Sequence, residues 1–248
     1  MQRIQLKDGR EVHFKTASPD DVPNIMALYH EVYSGKYTLP EATIPAVALK
    51  KIDDPNYFWT LAALDGRIVG SVIFAIDPIN KLGKTYAAAV LSEFRGQDVM
   101  RCMVLQGLER LTKLTRTCDA IYATTRTVSV APQVVLEHLG FHPMGIFPNV
   151  RKVKSFETHG LEIYFREGSL DMRRRKPRLV PETVEFYQIV REILKFEEPE
   201  IVEIEPEDPR HMGEPIRFSV DRDAMQIRRR YDRYQDLDLL DTVFFPFH

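Results

Sequence analysis

Cysteine is scarce in this sequence, with only Cys102 and Cys118 among 248 residues. Two cysteines cannot build a disulfide framework, and neither a Cys-x-x-Cys pair nor any zinc-ligand spacing is present. We therefore expect no metal site and two reduced thiols. Cys102 falls on the apolar face of a predicted helix and is expected in the core, whereas Cys118 follows that helix and is predicted at the surface.

Long apolar runs and a charge excess are also missing. No run approaches the roughly 20 residues that cross a bilayer, and the polar N-terminus lacks the apolar region of a secretory signal. The net charge is only −2, which argues against a general nucleic-acid or membrane role. These absences predict a cytoplasmic protein without a membrane partner.

The composition that is present suits a globular core, since 44% of the residues are hydrophobic. A chain of this length predicts one large domain, or one ordinary domain with an extension. Apolar periodicity predicts strands at 11–16, 57–64, 67–76, 86–91, 120–125, 141–146 and 161–165, and helices at 18–33, 45–52, 99–113 and 132–139. This order predicts an α+β fold in which helices wrap a mixed sheet.

The sequence changes in character after Gly168. A basic, proline-containing link at 172–178 precedes an amphipathic helix at 181–196, and an acidic stretch at 197–208 follows with a short strand at 201–204. Beyond it the pattern predicts a strand at 216–220, a charged helix at 221–234 and an apolar run at 241–248. That run must pack on the first domain, on a second copy or on further sequence.

The most informative stretch runs from Ala88 to Met100. It predicts a strand, then a turn at Gly96, then a helix that begins at Val99. Such a turn exposes backbone N–H groups at a helix N-terminus, where the helix dipole favours phosphate. Taken alone, the pattern favours an ordinary strand-to-helix turn, because a lone glycine turn is weakly specific.

A second segment, residues 129–141, predicts a short helix that stops at Gly140 and leads into an aromatic strand. Together and in this order, the two segments resemble the GNAT family of N-acetyltransferases, over roughly residues 10–167, about two thirds of the chain. The resemblance implies a GNAT-like α+β fold with a mixed, mostly antiparallel, splayed sheet wrapped by helices. It implies an acyl-CoA-binding domain at 1–168, which leaves 169–248 as a C-terminal α/β extension, either a dimerisation arm or the start of a second GNAT-like half.

The resemblance also implies a site for acetyl-CoA. Val90 and Leu91 stand where the family's splayed strand offers backbone groups to the pantetheine arm and the acetyl carbonyl. Ser129 and Gln133 lie where the second segment flanks that arm. The pyrophosphate loop corresponds to Arg95, Gly96, Gln97, Asp98, Val99 and Met100.

Several positions depart from the family pattern. Asp98 and Met100 stand where the pattern has Gly and then Gly or Ala, and a carboxylate beside a pyrophosphate repels it. Leu136 stands where many relatives carry a tyrosine that serves as the acid, and Ser129 stands where many carry Asn. Glu93 fits a solvated carboxylate better than a base. The catalytic residues are therefore unknown from the sequence.

Tyr29, His30, Tyr33 and Tyr37 cluster near the end of the first long helix, a region that borders the acceptor site in the resembling family. They predict either an aromatic acceptor pocket or, more conservatively, a filled seam between helix and sheet. Arg126, just past a strand, fits either a partner for an acidic acceptor group or a CoA phosphate, or a surface cation.

The leading functional hypothesis is an acyl-CoA-dependent N-acetyltransferase, an acyltransferase that moves an acetyl group to an amine acceptor not identified by the sequence. The alternative is a non-catalytic GNAT-like binding or regulatory module that acts through its C-terminal extension. Nucleic-acid binding through the arginine run at 173–178 is disfavoured, because that run lacks interleaved aromatic residues. The apolar C-terminus is compatible with a homodimer.

Overall fold

A computed structural model describes residues 3–152, 156–173 and 176–203, together with the backbone of three strands at 217–221, 226–231 and 239–244. The chain divides into two compact units, Met1–Val150 with Glu157–Arg173, and Arg151–Phe156 with Arg174–His248. The domain boundary placed at residue 168 stays a prediction.

The first unit is built on one eight-stranded sheet of order β1-β2-β3-β4-β5-β6-β8-β7. Its strands are β1 Arg3–Gln5, β2 Glu11–Thr16, β3 Tyr57–Leu64, β4 Arg67–Asp77, β5 Leu82–Val90, β6 Ala120–Arg126, β7 His142–Lys152 and β8 Phe156–Phe165. Its helices are α1 Val22–Tyr33, α2 Pro40–Thr43, α3 Pro45–Asp53, α4 Val99–Leu108 and α5 Ala131–Glu137. β5 runs parallel to β6, and the other pairings described in the sheet are antiparallel. The predicted α+β class with a mixed, mostly antiparallel sheet is confirmed.

Neighbouring residues of β4 show how the helices cover both faces of the sheet. A Cβ on Gly70 would press against the Met103 side chain of α4. The next residue, Ser71, meets the Tyr29 hydroxyl of α1 at 3.0 Å. Because successive strand residues face opposite sides, α1 and α4 pack on opposite faces, with the core on either side of β4.

The sequence located most elements of this unit, but several features differ. β5 begins at Leu82, four residues before the predicted start, and the short strand β1 was not predicted. α4 continues as a π-helical segment, Glu109–Leu114. The prediction of a surface thiol at Cys118 is wrong, because Cys118 is fully buried against Gly83 and its N–H donates to the Leu111 carbonyl at 3.1 Å.

The second unit contains the helix α6 Val184–Leu194 and a parallel pair of short strands, β9 Arg178–Leu179 and β10 Glu200–Ile201. Three further strands pair antiparallel, β11 Arg217–Asp221, β12 Gln226–Tyr231 and β13 Leu239–Phe244. The charged helix predicted at 221–234 is wrong, because β12 pairs on both sides and tertiary pairing overrides local propensity. The end of the apolar run, residues 245–248, and the remainder of the acidic stretch, 204–208, lie outside the described residues.

In the part of the chain that the structure describes, no helix is long and apolar enough to cross a membrane. Over the same residues, no cluster of three or more His, Cys, Asp or Glu side chains is placed to hold a metal ion.

Candidate active site

Two neighbouring strands of the sheet, β5 and β6, separate partway along their length. Residues 82–85 of β5 pair with residues 120–123 of β6. Beyond them β5 runs on to Val90 and β6 to Arg126, and no further ladder pairing joins the two strands among the described residues. The edges of both strands therefore face an opening, which we name the cleft, instead of a neighbouring strand.

A β-bulge lies on β5 at the start of the cleft. The register of β5 on β4 shifts so that two residues, Ala87 and Ala88, stand opposite Val72 alone. Ala87 has a φ of +53°, a left-handed conformation that a residue with a side chain keeps only where surrounding contacts hold it. Because a bulge leaves its extra residue outside the ladder, the peptide between Ala87 and Ala88 is not committed to β4.

The backbone of Val90 points into the cleft. Leu91 N–H donates to the Val69 carbonyl at 3.0 Å, so the facing residues Val90 and Gly70 form a non-hydrogen-bonded pair. In such a pair the N–H and C=O of Val90 point away from β4. Arg95 Nε donates to the Val90 carbonyl at 3.0 Å. Val90 thus presents its N–H to the cleft, whereas the N–H of Leu91 is already engaged.

The loop before α4 is open on its outer side and shaped by positive φ angles. Gly96 has φ +68°, and a Cβ built there meets nothing within 4 Å. Asp98, directly before α4, has φ 60° and makes no side-chain cap bond to the helix. Glycine suits such a position, and aspartate is one of the few side chains that tolerate it. The substitution of Asp for Gly in the family pattern is therefore compatible with the loop's conformation.

Helix α4 starts with a buried Val99 and a half-buried Met100. As at any helix N-terminus, its first backbone N–H groups point toward the preceding loop, together with the positive end of the helix dipole. Gln97 braces the loop from outside. Its Oε1 accepts the Lys7 N–H at 3.1 Å, and its Nε2 donates to the Glu93 carbonyl at 3.0 Å. Both polar atoms of the Gln97 side chain are therefore engaged within the protein.

The second predicted segment, at the start of α5, makes local contacts. Ser129 Oγ accepts the Ala131 N–H at 3.4 Å, and Gln133 Nε2 donates to the Ser129 carbonyl at 3.5 Å. These bonds stabilise the turn into the helix, as expected of a serine near a helix start. Leu136 is only 6% exposed and belongs to the core.

Three tyrosines line the α1 side of the bulge. The rings of Tyr33 and Tyr37 stack with centroids 4.2 Å apart, and those of Tyr29 and Tyr37 stack at 5.1 Å. The Tyr33 hydroxyl donates to the Ala88 carbonyl at 3.3 Å. This bond places the stack against the bulge.

Arg126, at the end of β6, forms a two-pronged ion pair with Glu157 of β8, with Nε to Oε2 at 2.8 Å and Nη2 to Oε1 at 2.5 Å. The hydrogen bonds that Arg126 donates to Glu157 raise the pKa of Arg126, and the nearby Tyr33 and Tyr37 act in the same direction. The same bond lowers the pKa of Glu157. His159 Nε2 lies 3.5 Å from Glu157 Oε2. A paired cation, a carboxylate and an imidazole therefore lie on this side of the sheet with the tyrosines.

A buried carboxyl on β8 was missed by the sequence analysis. Glu162 is 7% exposed and accepts a hydrogen bond from Thr125 Oγ1 at 2.8 Å. Burial raises the pKa of Glu162, although the bond from Thr125 works against this. The available signal was a single acidic residue inside the otherwise apolar predicted strand at 161–165. Glu93, in contrast, is exposed and pairs with Arg67 at 3.3 Å.

Residues 22–141 match the family model described as the acetyltransferase (GNAT) family. A search among curated proteins finds no match to this chain.

Solved structures share the fold. A GNAT-family acetyltransferase from Streptococcus pneumoniae superposes with a TM-score of 0.54 at 16% identity, covering 62% of this chain and 98% of its own. The ribosomal-protein-S5-alanine acetyltransferase from Vibrio fischeri gives 0.57 at 15% identity, with coverages of 67% and 98%. A mutant spermidine N-acetyltransferase from Vibrio cholerae gives 0.55 at 12% identity, with coverages of 64% and 96%. At these identities the likeness establishes the fold alone.

Proposed function

We propose that the protein transfers an acetyl group from acetyl-CoA to the amine of an acceptor, since residues 22–141 match the model of the acetyltransferase (GNAT) family. The observation that carries the proposal is the cleft between β5 and β6, which starts beside a bulge and leads to an open loop at a helix N-terminus. The neighbours' names specify spermidine in one case and an alanine of a ribosomal protein in another. Both are amine acceptors, and we extend only that class to this chain.

The residues present fit acetyl-CoA in three places. The loop from Arg95 to Met100 offers backbone N–H groups and, at Gly96, open space for a pyrophosphate. Val90 offers an N–H to the pantetheine arm, and Ser129 and Gln133 would flank that arm from α5. Asp98 works against this fit, since its carboxylate lies at the same helix N-terminus.

When bound, acetyl-CoA supplies the acyl group as a reactive thioester. The contribution of the protein's own residues is to hold and orient the thioester and the amine acceptor. Arg95 fixes the Val90 carbonyl, and backbone N–H groups of β5 stabilise the negative charge that develops on the thioester oxygen during amine attack. The tyrosine side of the cleft, with Arg126 and Glu157, receives the acceptor, and holding amine and thioester together contributes much of the rate gain.

The cytoplasm is the proposed setting, in keeping with two unpaired cysteines, Cys102 and Cys118.

A second candidate function is a non-catalytic module that binds a CoA ester and acts through residues 169–248. The burial of Leu136, where many relatives carry an acid tyrosine, favours this alternative.

Isothermal titration of acetyl-CoA and of CoA into the full chain at low salt tests the proposal. We expect saturable binding with a dissociation constant in the micromolar range, which corresponds to a binding free energy of about −8 kcal/mol. Gly96→Glu should abolish it, because the variant adds strain and a negative charge to the loop. Gly66→Glu is the matched control, since Gly66 also has positive φ, at +82°, with nothing within 4 Å, but lies in the β3–β4 turn.

The outcomes separate the candidates. Equal binding by the two glycine variants would show that the loop is not the pyrophosphate site. A wild-type chain that binds neither titrant overturns the proposed function. Binding followed by release of the CoA thiol with amines supports transfer, whereas binding without release across polyamines, amino acids and peptides supports the non-catalytic module.

A further inference from the structure

A chain of buried hydrogen bonds ends at the bulge. Trp59 Nε1–H donates to Ser71 Oγ at 2.7 Å, and Ser71 Oγ lies 3.0 Å from the Tyr29 hydroxyl. The Tyr29 hydroxyl in turn bonds to the Ala87 carbonyl. The three side chains are 2%, 0% and 0% exposed. They come from β3, β4 and α1, so this series of hydrogen bonds connects three elements to one peptide of β5.

The direction of these hydrogen bonds follows from the groups involved. An indole N–H only donates, and a carbonyl oxygen only accepts. Tyr29 must therefore give its single hydroxyl proton to the Ala87 carbonyl, and Ser71 must donate to Tyr29. Burial raises the pKa of Tyr29 well above its usual range, so the phenol keeps this proton. The donors all point from Trp59 toward Ala87.

The last bond fixes the orientation of the next N–H. The Ala87 carbonyl and the Ala88 N–H belong to one planar trans peptide, in which the two bonds point in opposite directions. Tyr29 holds the carbonyl on its buried side, so the Ala88 N–H points the other way. Ala88 is exposed between the buried Ala87 and Ala89. A hydrogen bond at the carbonyl also polarises the peptide and strengthens its N–H as a donor.

We propose that Tyr29, Ser71 and Trp59 are positioning residues, which aim the Ala88 N–H at the carbonyl oxygen of a bound acetyl thioester. This inference rests on the proposed function and deepens it, because it names the groups that hold the donor for the thioester oxygen. The bulge conformation at Ala87 supports it, since a left-handed alanine needs an external contact to hold it. Tyr29 supplies that contact from the buried side.

The test compares the affinities for acetyl-CoA and for CoA, because only the ester offers a carbonyl to Ala88. Titration of both into the full chain should give about fivefold tighter binding of acetyl-CoA, the contribution of one hydrogen bond. Tyr29→Phe keeps the ring and removes the hydroxyl. For Tyr29→Phe we expect the ratio of acetyl-CoA to CoA affinity to fall to about one, with the CoA affinity unchanged. For Ser71→Ala we expect the same ratio to fall to about two.

Thr112→Val is the matched control. Thr112 is 1% exposed, and its Oγ1 donates to the Leu108 carbonyl at 2.7 Å. This variant therefore also loses a buried hydroxyl-to-carbonyl bond, but in the π-helical segment that follows α4. We expect a similar fall in melting temperature and an unchanged affinity ratio. The infrared carbonyl band of isotope-labelled acetyl-CoA should shift to higher frequency only in the Tyr29 and Ser71 variants.

If a folded Tyr29→Phe variant keeps the wild-type ratio of acetyl-CoA to CoA affinity and the wild-type carbonyl frequency, the inference is overturned. The acetyl-CoA site would then stay in place. A wild-type chain that binds neither ligand overturns the proposed function and this inference together. If Tyr29→Phe does not fold, Ser71→Ala decides. A reduced ratio then supports the positioning role, and a wild-type ratio rejects it.

Discussion

Asp98 combines a backbone strain and an unfavourable charge at one position of the loop. Its φ of 60° costs about 1 kcal/mol relative to glycine. Its carboxylate interacts favourably with the dipole of α4 in the absence of a ligand. The same carboxylate opposes a pyrophosphate, so one residue stabilises the helix while it weakens the proposed use of that helix.

Replacing Asp98 separates these effects. Asp98→Gly should tighten CoA binding by about three- to tenfold, because it removes a like charge beside the pyrophosphate. Asp98→Asn should give a similar gain while it keeps a residue that tolerates positive φ. Titration calorimetry measures both, and the gain should shrink as salt is raised. Unchanged or weaker binding by both variants would count against placing the pyrophosphate at this loop.

At the scale of elements, the connection from β2 to α1 is held by one buried carboxylate. Asp21 accepts hydrogen bonds from Lys15 Nζ at 2.6 Å, from the Ser18 N–H at 2.9 Å and from Ser18 Oγ at 2.8 Å. Burial alone would raise the pKa of Asp21, but these bonds outweigh it and leave the pKa lowered. The position of α1, and with it that of Tyr29, depends on this junction.

Asp21→Asn should destabilise the protein by about 1–2 kcal/mol at pH 7, because the variant loses an ion pair and part of a capping box. The folded-state pKa lies below the unfolded value of about 3.9, so this stabilisation is complete above that pH. It is lost as the pH falls through the lowered pKa. Urea unfolding at pH 7 and near pH 3 should show the difference shrinking, and an equal difference at both values would contradict the assignment.

Local chemistry explains which elements the sequence could predict. The Asp65-Gly66 turn has φ values of +48° and +82°, the conformation that Asp-Gly favours in a two-residue hairpin, so β3 and β4 were located from their turn. Cys118 was misplaced because its burial depends on Gly83, distant in sequence. β12 was misread because its charged residues match a helix until pairing on both sides is known.

In the candidate site, too, features formed by residues adjacent in sequence could be predicted, whereas contacts between distant residues could not. The loop around Gly96 could be predicted, because a strand, a glycine turn and a helix N-terminus are adjacent in sequence. The hydrogen bonds to the bulge could not, because Tyr29 meets Ser71 and Ala87 across 42 and 58 residues. The proposed ligand contacts of Val90, Arg95, Ser129 and their neighbours stay predictions.

At the scale of the whole molecule, the two compact units predict that the first folds alone. A chain ending at Arg173 should melt cooperatively and bind CoA within about twofold of the full chain. Circular dichroism and calorimetry measure these properties. Loss of CoA binding in a folded truncated chain would assign part of the site to the extension.

Sedimentation of the full and truncated chains completes that experiment. A dimer of the full chain that becomes a monomer on truncation would identify residues 174–248 as the dimerisation arm. A monomer in both cases would rule out the homodimer with which the apolar C-terminus is compatible.

The bond between Lys7 and Gln97 joins the first hairpin to the loop before α4 across 90 residues of sequence. Its donor is a backbone N–H, so the bond does not require a particular side chain at position 7. It does require the length of the turn that contains Lys7. Insertions or deletions in that turn should therefore covary with position 97 among homologous sequences. An affinity tag fused at the N-terminus is a practical hazard for the same reason, since strain in the first hairpin reaches the loop through this contact.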